Sequence, residues 1–378
     1  MNILIAPDSF KECLTAREVA AAIARGWRSV APEDEIVEVP LADGGEGTTE
    51  ALVAAKGGRL MTAEVTGPLG HPVQAAYGLL DDGDTAVVEV AEASGLHRVP
   101  AEARDAMAAT SFGTGELMLA ALSHRPRTLV IGLGGSATTD GGAGILQALG
   151  AQLLDSSGKP VARGGGGLAD LASVDLAPAV SRLAGVDLVI ACDVTNPLLG
   201  PEGAAAVFGP QKGASLEQVA VLNANLERLA KAVARQGYDM ARFPGSGAAG
   251  GIGGTVAGLL GGQLRRGIEL VMETLALEAH VRWADVVITA EGAIDSQSAA
   301  GKTPAGVAAL AKRHGVPVIG LAGRVGTPLD NLHDIGLTAA FSITPAPLTL
   351  AEAYADAPTN LARVAEQLAR LAHNLRKN

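Results

Sequence analysis

The segment GLGGSATTDGGAG, Gly132 to Gly144, combines main-chain freedom with small polar side chains, as expected for an anion site. Glycine costs ~0.5–1 kcal/mol relative to alanine in a regular element, so a cluster indicates positive φ or close backbone approach. The strand TLVIG precedes it, and a helix beginning near Asp140 or Gly141 would direct main-chain N–H groups and a helix dipole at a ligand. The predicted anion cradle consists of Gly134, Gly135, Ser136, Thr138 and Asp140. The alternative is a tight strand-to-helix turn in which Asp140 is the N-cap residue.

The segment SQSAAGKTP, Ser296 to Pro304, resembles a P-loop in which Ser296 stands where the first glycine is expected. Lys302 and Thr303 are its candidate anion-binding residues. The alternative is helix capping by Thr303, with Pro304 at the first helical position. Both roles are compatible, because a helix start can itself hold an anion.

Two aspartates follow apolar segments that are expected to be buried strands. Asp193 comes after VDLVIAC, and Asp295 ends AEGAID. Ligands of open α/β sheets bind at the carboxyl ends of strands, so either carboxylate could accept a proton or hold Mg²⁺. For Asp193, an Asx turn ahead of Pro197 is the alternative.

Two further loops carry candidate ligands near the start of the chain. Asp8, Ser9 and Lys11 lie in PDSFKE after the first strand, where Lys11 could pair with a substrate carboxylate or simply be an exposed lysine. Asp43 and Glu46 lie in LADGGEGT, where they could bind substrate or merely face the positive end of a helix dipole.

The pattern of elements indicates how these loops are positioned. The segments NILIA and DEIVEV are predicted strands, and each is followed by a predicted helix. The first of these helices begins with a capping box formed by Thr15 and Glu18. This alternation of strands and helices predicts a parallel sheet. From about residue 60 the segments become extended and are broken by GPLGHP and DDGD, which predicts hairpins. We therefore predict an α/β fold in which a Rossmann-like parallel-sheet domain, residues 1–59 and 285–378, carries a second, inserted α/β domain, residues 60–284.

The composition of the chain argues against several classes of function. The 378 residues have a net charge of −11 and 3% aromatic residues, which disfavours binding to nucleic acid or anionic membranes. Cys13 and Cys192 are the two cysteines, and the seven histidines show no HxxxH or HExxH spacing, so neither a disulfide framework nor a zinc site is indicated. The opening MNILIAPDSF does not read as a signal peptide, and we expect a cytoplasmic protein.

A nicotinamide-dependent enzyme is a weaker alternative. A dinucleotide fingerprint, GxGxxG, is expected after the first strand, but APDSFK stands there. GLGGSA has Ala137 at the third glycine position, and Asp155 follows too early for the acidic residue of that fingerprint. A hydroxy-acid dehydrogenase using NAD(P) and a non-catalytic small-acid-binding protein remain as alternative functions.

Together these loops resemble the type I glycerate kinase family over essentially the whole chain. The segments that carry the resemblance are APDSFKECLTA, PLADGGEGT, VTGPLG, IGLGGSATTDGGAG, ACDVTNPLLG, FGPQKGAS, PGSGAAGGIG and ITAEGAIDSQSAAGKTP. The resemblance implies an ATP-dependent glycerate 2-kinase, which transfers the γ-phosphoryl group of ATP to D-glycerate and forms 2-phosphoglycerate and ADP with Mg²⁺. It also implies an active site in the cleft between the two domains.

Roles follow for the candidate residues as hypotheses. Asp193 is the preferred base toward the glycerate hydroxyl, and Asp295 then orients Mg²⁺, although the reverse assignment stays open. Lys11 counts as catalytic and, with Ser9, holds the glycerate carboxylate. Asp8, Asp43 and Glu46 are also predicted to bind the substrate. The glycine loop, Lys302 and Thr303 are predicted to bind the ATP phosphates. The oligomeric state is open, with a homodimer as one option.

Overall fold

The structure is a computed structural model that describes residues 1–11, 13–42, 44–45, 47–296, 298–300 and 302–376. Its strands are β1 (Asn2–Ile5), β2 (Glu35–Glu38), β3 (Arg59–Thr66), β4 (Pro72–Leu80), β5 (Thr85–Glu89), β6 (Thr128–Gly132), β7 (Gln152–Leu154), β8 (Ser173–Asp175), β9 (Asp187–Ala191), β10 (Gln263–Arg265), β11 (Val286–Ile294), β12 (Val318–Val325) and β13 (Leu337–Ser342). Its α-helices are α1 (Ala16–Arg28), α2 (Thr48–Lys56), α3 (Val90–Ser94), α4 (Phe112–Leu122), α5 (Ala143–Ala148), α6 (Ala177–Arg182), α7 (Ala204–Phe208), α8 (Leu216–Ala234), α9 (Ala248–Gly258), α10 (Gly267–Thr274), α11 (Leu277–Trp283), α12 (Thr303–Arg313), α13 (Asp330–Ile335), α14 (Leu350–Ala355) and α15 (Ala357–Arg376).

One compact unit contains both ends of the chain, Met1–Asp43 and Ile268–Asn378. Its sheet has the strand order β13-β12-β11-β1-β2, and every neighbouring pair is parallel. The predicted parallel sheet is thus confirmed. Because parallel strands place their carboxyl ends at one edge, the segments that follow β1, β11 and β12 lie side by side.

Helix α1 shows how the sequence determines one layer of this unit. The Thr15 hydroxyl accepts from the Glu18 N–H at 3.3 Å, and the Glu18 carboxylate accepts from the Thr15 N–H at 2.9 Å, which confirms the predicted capping box. Val19, Ile23 and Trp27 recur on one helix face and are fully buried in a cluster that also contains residues of α15.

The second compact unit is Gly44–Gly267, with a mixed sheet in the order β10-β9-β6-β5-β4-β3. The β3/β4 and β4/β5 pairs are antiparallel, as the extended segments after residue 60 predicted. The other pairs are parallel, and they bring the last residues of β5, β6 and β9 into one row, in which Glu89 pairs with Gly132 and Gly132 pairs with Ala191. The loops that leave this row carry most of the polar residues of the unit's candidate site.

The division between these units differs from the predicted domain limits of 1–59, 60–284 and 285–378. Helix α2 belongs with the second unit because its side chains pack on β4, where a Cβ on Gly78 would lie 2.8 Å from Val53 and 2.9 Å from Thr49. Helix α10 belongs almost entirely with the first unit, where Ile268 packs against Gly306 of α12. Amphipathic periodicity does not reveal which of two sheets a connecting helix covers, so the sequence placed both limits too far along the chain.

Candidate active site

The glycine loop after β6 is packed against another loop of its own unit. A Cβ on Gly134 would lie 2.5 Å from the Cα of Gly45, and one on Gly132 would lie 2.8 Å from the carbonyl oxygen of Gly44. Contacts this short with main-chain atoms cannot be relieved by a rotamer change, so close backbone approach explains both glycines. Gly135 is required for another reason, because its φ is +71°.

The main chain at the tip of this loop offers hydrogen-bond donors. Among the described residues, none accepts a hydrogen bond from the N–H groups of Gly134, Gly135 or Ser136. Gly134 is half-buried and Gly135 is exposed, whereas Ser136 is buried, so the two glycines are the more accessible part of this loop. Successive main-chain N–H groups in a turn with one left-handed residue are a typical anion-binding arrangement, so the geometry fits the predicted cradle.

Asp140 has a different role from the one predicted. Its side chain is fully buried, and it accepts hydrogen bonds from the Ser111 N–H and hydroxyl, both at 2.8 Å, and from the N–H groups of Gly142 and Gly144. Burial raises the pKa of this carboxyl group, although its hydrogen bonds oppose the shift. Asp140 is therefore not the N-cap residue of the alternative interpretation, since α5 begins at Ala143 after the N-cap Gly142, but its carboxylate binds the N–H of Gly144 in the first turn of α5. Its full burial argues against a phosphate contact.

Thr138 is also placed differently from the prediction. Its side chain is fully buried, and its Oγ1 has no hydrogen-bond partner in the described part of the chain. Ser136 keeps about 6% of its surface accessible, and its Oγ lies 2.9 Å from the Nζ of Lys212. Ser136 is consequently the better placed of these two hydroxyl groups for ligand contact.

Lys212 is a candidate that sequence reasoning missed. It lies between α7 and α8 with about 3% of its surface accessible, and its Nζ also donates to the carbonyl oxygen of Thr138 at 2.7 Å. Burial lowers the pKa of Lys212 to about 7, against the opposing charge of Asp140. The segment FGPQKGAS was noted only as part of the family resemblance, because a lone lysine is normally expected at the surface.

Glu89 is a second missed residue, at the end of β5 beside Gly132. Its carboxylate accepts from the N–H groups of Gly47 at 3.2 Å and Thr49 at 2.6 Å, and so caps α2 from a distant strand. Burial raises the pKa of Glu89 to about 7. The predicted ligands Asp43 and Glu46, from the loop before α2, lie outside the described residues.

Asp193 follows β9 in the second unit, as the sequence predicted. Its Oδ1 accepts a hydrogen bond of 3.0 Å from the N–H of Gly267, the first residue of α10. The carboxylate is thus oriented at a helix N-terminus, where negative charge is favoured.

In the first unit, three predicted residues come together at the end of β1. The Asp8 carboxylate accepts from the Thr303 hydroxyl at 2.6 Å and from the Ser9 N–H at 2.7 Å. Asp8 and Thr303 are buried, whereas Ser9 is half-buried and Lys11 is exposed. Thr303 is the first residue of α12 and donates to Asp8 without capping the helix, so the capping alternative is wrong.

Two ion pairs involve β11 or the residue that follows it in the same unit. The Lys302 ammonium lies 2.7 Å from Glu291 Oε1, and the Arg324 guanidinium lies 2.8 Å from Asp295 Oδ2. Lys302 and Asp295 were predicted site residues, but their partners Glu291 and Arg324 were not. The pair with Glu291 balances the positive charge of Lys302 within its own unit.

Metal, thiol and membrane features give three plain findings. No group of three or more His, Cys, Asp or Glu side chains that could hold a metal ion is present in the described parts of the chain. Cys13 and Cys192 are both free thiols. Of the helices formed by the described residues, none is long and apolar enough to cross a membrane.

The similarity to known proteins covers all of the loops described above. The model of the glycerate kinase family matches residues 3–373. The chain belongs to the glycerate kinase family. This membership confirms the resemblance noted from the sequence motifs and makes the protein an enzyme of the kinase class.

Individual family members agree closely with the chain. It is 50% identical over 370 residues to a glycerate kinase of Bacillus subtilis (strain 168), covering 98% of this chain and 97% of that protein. It is 48% identical to a glycerate 2-kinase of Escherichia coli (strain K12), with the same coverage. A crystal structure of a provisionally named glycerate kinase 2 from Salmonella typhimurium LT2 superimposes with a TM-score of 0.86 at 49% identity, covering 100% of this chain and 99% of that one. The glycerate kinase fold is thus the fold of this protein, and the predicted α/β class is confirmed.

Proposed function

We propose that the protein is an ATP-dependent glycerate 2-kinase, which converts D-glycerate and ATP to 2-phosphoglycerate and ADP. The observation that carries the proposal is the family match over residues 3–373, together with a glycerate 2-kinase at 48% identity along nearly the full length. In the reaction the C2 hydroxyl oxygen attacks the γ-phosphorus, the bond from that phosphorus to the β,γ-bridging oxygen breaks, and the hydroxyl proton leaves to a base.

The glycine loop is the proposed site for the ATP phosphates. Phosphoryl transfer is accelerated mainly by positioning and by stabilising negative charge on the moving group. The N–H groups of Gly134, Gly135 and Ser136 and the Ser136 hydroxyl supply donors without adding negative charge. We withdraw Asp140 and Thr138 from the predicted phosphate ligands, because both side chains are fully buried.

Asp193 is the proposed base. Its carboxylate follows β9, the strand next to β6 from which the glycine loop leaves, and the Gly267 N–H holds it in place. In contrast, the Asp295 carboxylate is paired with the Arg324 guanidinium at 2.8 Å, so one of its oxygen atoms already has a partner within its own unit.

Mg²⁺ is the proposed metal, and the donor chemistry fits. Mg²⁺ is commonly bound through one or two carboxylates together with substrate phosphates, so a dedicated cluster is not required. Asp295 would hold the ion, with Asp193 as the other candidate, and the bound ion would neutralise charge on the phosphates.

The glycerate carboxylate is assigned to Ser9 and Lys11. Ser9 is half-buried and Lys11 is exposed, so both side chains are accessible in the first unit, as ligands must be. Lys302 remains a proposed contact for phosphate charge, which would compete with Glu291 for its ammonium group. Thr303 and Asp8 support this region by their mutual hydrogen bond.

The decisive experiment is an ADP-release assay with ATP, Mg²⁺ and D-glycerate, followed by ³¹P and ¹³C NMR of the product. We expect ADP and 2-phosphoglycerate in equal amounts and no ADP release without glycerate. L-glycerate and other 2-hydroxy acids serve as matched acceptors that should react more slowly.

Other outcomes would overturn the proposal. Exclusive formation of 3-phosphoglycerate would disprove the assigned hydroxyl. Glycerate-dependent reduction of NAD(P) without ADP would favour the dehydrogenase, and glycerate binding without either reaction would favour the small-acid-binding protein.

A further inference from the structure

The buried ammonium group of Lys212 joins two points of the glycine loop. It donates to Ser136 Oγ at 2.9 Å and to the Thr138 carbonyl oxygen at 2.7 Å, so it closes the tip of the loop from the inner side. A lysine is rarely buried to this extent without a partner of opposite charge in direct contact. Here its two direct partners are neutral oxygen atoms, which indicates a role beyond an ordinary ion pair.

The direction of these hydrogen bonds determines what Ser136 can do. An ammonium group has only donors, so Ser136 Oγ must accept from Lys212. The hydroxyl hydrogen of Ser136 is then left to donate to another group. Among the described residues, Lys212 is the one hydrogen-bond partner of this hydroxyl, so its donor direction is open to a ligand.

Among the described residues, one charged group acts on Lys212. Asp140, on the same loop, is the charged group that acts on it electrostatically, and it is itself enclosed by four hydrogen bonds. Arg104 approaches the same turn but donates to the carbonyl oxygen of Gln211. Because burial lowers the pKa of Lys212 to about 7, the free protein holds both its charged and its neutral form near neutral pH. A polyanion at the loop would shift this balance toward the charged form.

We propose that Lys212 is a positioning residue for phosphoryl transfer, whose ammonium group orients the Ser136 hydroxyl as a donor to the ATP phosphates and which gains a proton when they bind. This inference rests on the proposed function and deepens it. On this proposal, the buried positive charge of Lys212 acts on the phosphates through the Ser136 hydroxyl. The low polarity of the surroundings strengthens the attraction between this charge and the phosphates.

The first test uses the unmodified protein. Binding of Mg-ATP without glycerate is measured by calorimetry near pH 8, in buffers of different ionisation enthalpy, where a lysine with a pKa of about 7 is mostly neutral. We expect net uptake of most of one proton, which should shrink toward about pH 6 as the free lysine becomes charged. Binding with no proton uptake near pH 8 would overturn the inference.

The second test compares pH profiles. In the unmodified enzyme, kcat/KM for ATP should fall as pH rises above about 7, because this ratio reports groups of the free enzyme. Lys212→Met should reduce kcat/KM for ATP by about 10–100-fold near neutral pH, abolish that fall, and change KM for glycerate little. Lys212→Arg, which stays charged at every pH tested, should lose the fall while recovering part of the activity.

The outcomes separate this inference from the function beneath it. A wild-type enzyme that does not phosphorylate glycerate overturns the proposed function. Normal turnover combined with an unchanged pH profile in Lys212→Met overturns the role of Lys212 alone. If both variants fail to fold, the calorimetry of the unmodified protein still decides the matter.

Discussion

The Thr303 hydroxyl donates a hydrogen bond of 2.6 Å to the Asp8 carboxylate and so joins the end of β1 to the start of α12, across 295 positions of sequence. Both side chains are buried, so the carboxylate loses a partner that water cannot easily replace if the hydroxyl is removed.

Thr303→Val should therefore destabilise the protein by about 1–3 kcal/mol, the usual cost of depriving a buried polar group of a partner. Thr303→Ser retains the hydroxyl and should cost less than about 1 kcal/mol. Denaturant titration of both variants measures the difference. Equal stability of the two variants would show that the hydroxyl group contributes no more than the methyl group that Thr303→Ser removes.

Mutation of Asp140 should mainly lower stability, whereas mutation of Ser136 should mainly weaken ATP binding. Asp140→Ala leaves the donors of Ser111, Gly142 and Gly144 buried without their acceptor and should cost roughly 3 kcal/mol or more of stability. Ser136→Ala removes one acceptor of the buried Lys212 ammonium, so it should cost about 1–3 kcal/mol of stability, less than Asp140→Ala, and it should raise KM for ATP. Thermal unfolding and ATP-dependent kinetics of both variants test this contrast. A folded, stable Asp140→Ala enzyme that has lost only ATP binding would restore the original phosphate role of Asp140.

Glu89 should make stability depend on pH. Because burial raises its pKa to about 7 from an ordinary 4.5, the folded protein binds this proton more tightly than the unfolded chain does. The resulting stabilisation is fully present below the ordinary value and is lost as pH rises through about 7. Glu89→Gln cannot titrate, so its stability relative to the unmodified protein should improve by roughly 1–3 kcal/mol between about pH 5 and pH 8.

Parallel unfolding curves at several pH values measure this difference, and other titrating groups cancel in the comparison. Glu89→Ala, which also loses the cap on α2, is the control that should be less stable than Glu89→Gln at every pH. A constant difference between Glu89→Gln and the unmodified protein would mean that Glu89 stays ionised throughout.

Gly134→Ala should disturb the glycine loop more than a comparable change elsewhere. Its Cβ would lie 2.5 Å from the Cα of Gly45, so the two loops must separate. Gly158→Ala is the matched control, since its φ is +80° but nothing lies within 4 Å of the added atom, and it should cost about 1–2 kcal/mol. Gly134→Ala should lower the free energy of unfolding by more than this control does, and it should also lower kcat/KM for ATP. Unfolding and kinetic measurements test both expectations. If the two substitutions have equal effects, the close contact between Gly134 and Gly45 does not explain why residue 134 is glycine.

The sequence revealed the strand ends but not the long-range contacts between them. Asp8, Asp193 and Asp295 were found because each follows an apolar run, and local periodicity is enough to locate such positions. The cap that Glu89 provides for α2 depends on a tertiary contact between residues 40 positions apart, which no local pattern encodes. Lys212 was missed for a related reason, because the usual exposure of lysine outweighs any signal from its neighbours.

The central claim is that the main chain and hydroxyl at residues 134–136 hold the ATP phosphates. A crystal structure of this protein with Mg²⁺, a non-hydrolysable ATP analogue and D-glycerate tests it most directly. We predict a phosphate oxygen about 3 Å from Ser136 Oγ and from the N–H nitrogen of Gly134 or Gly135. A triphosphate bound elsewhere, with no contact to residues 134–136, would contradict the account.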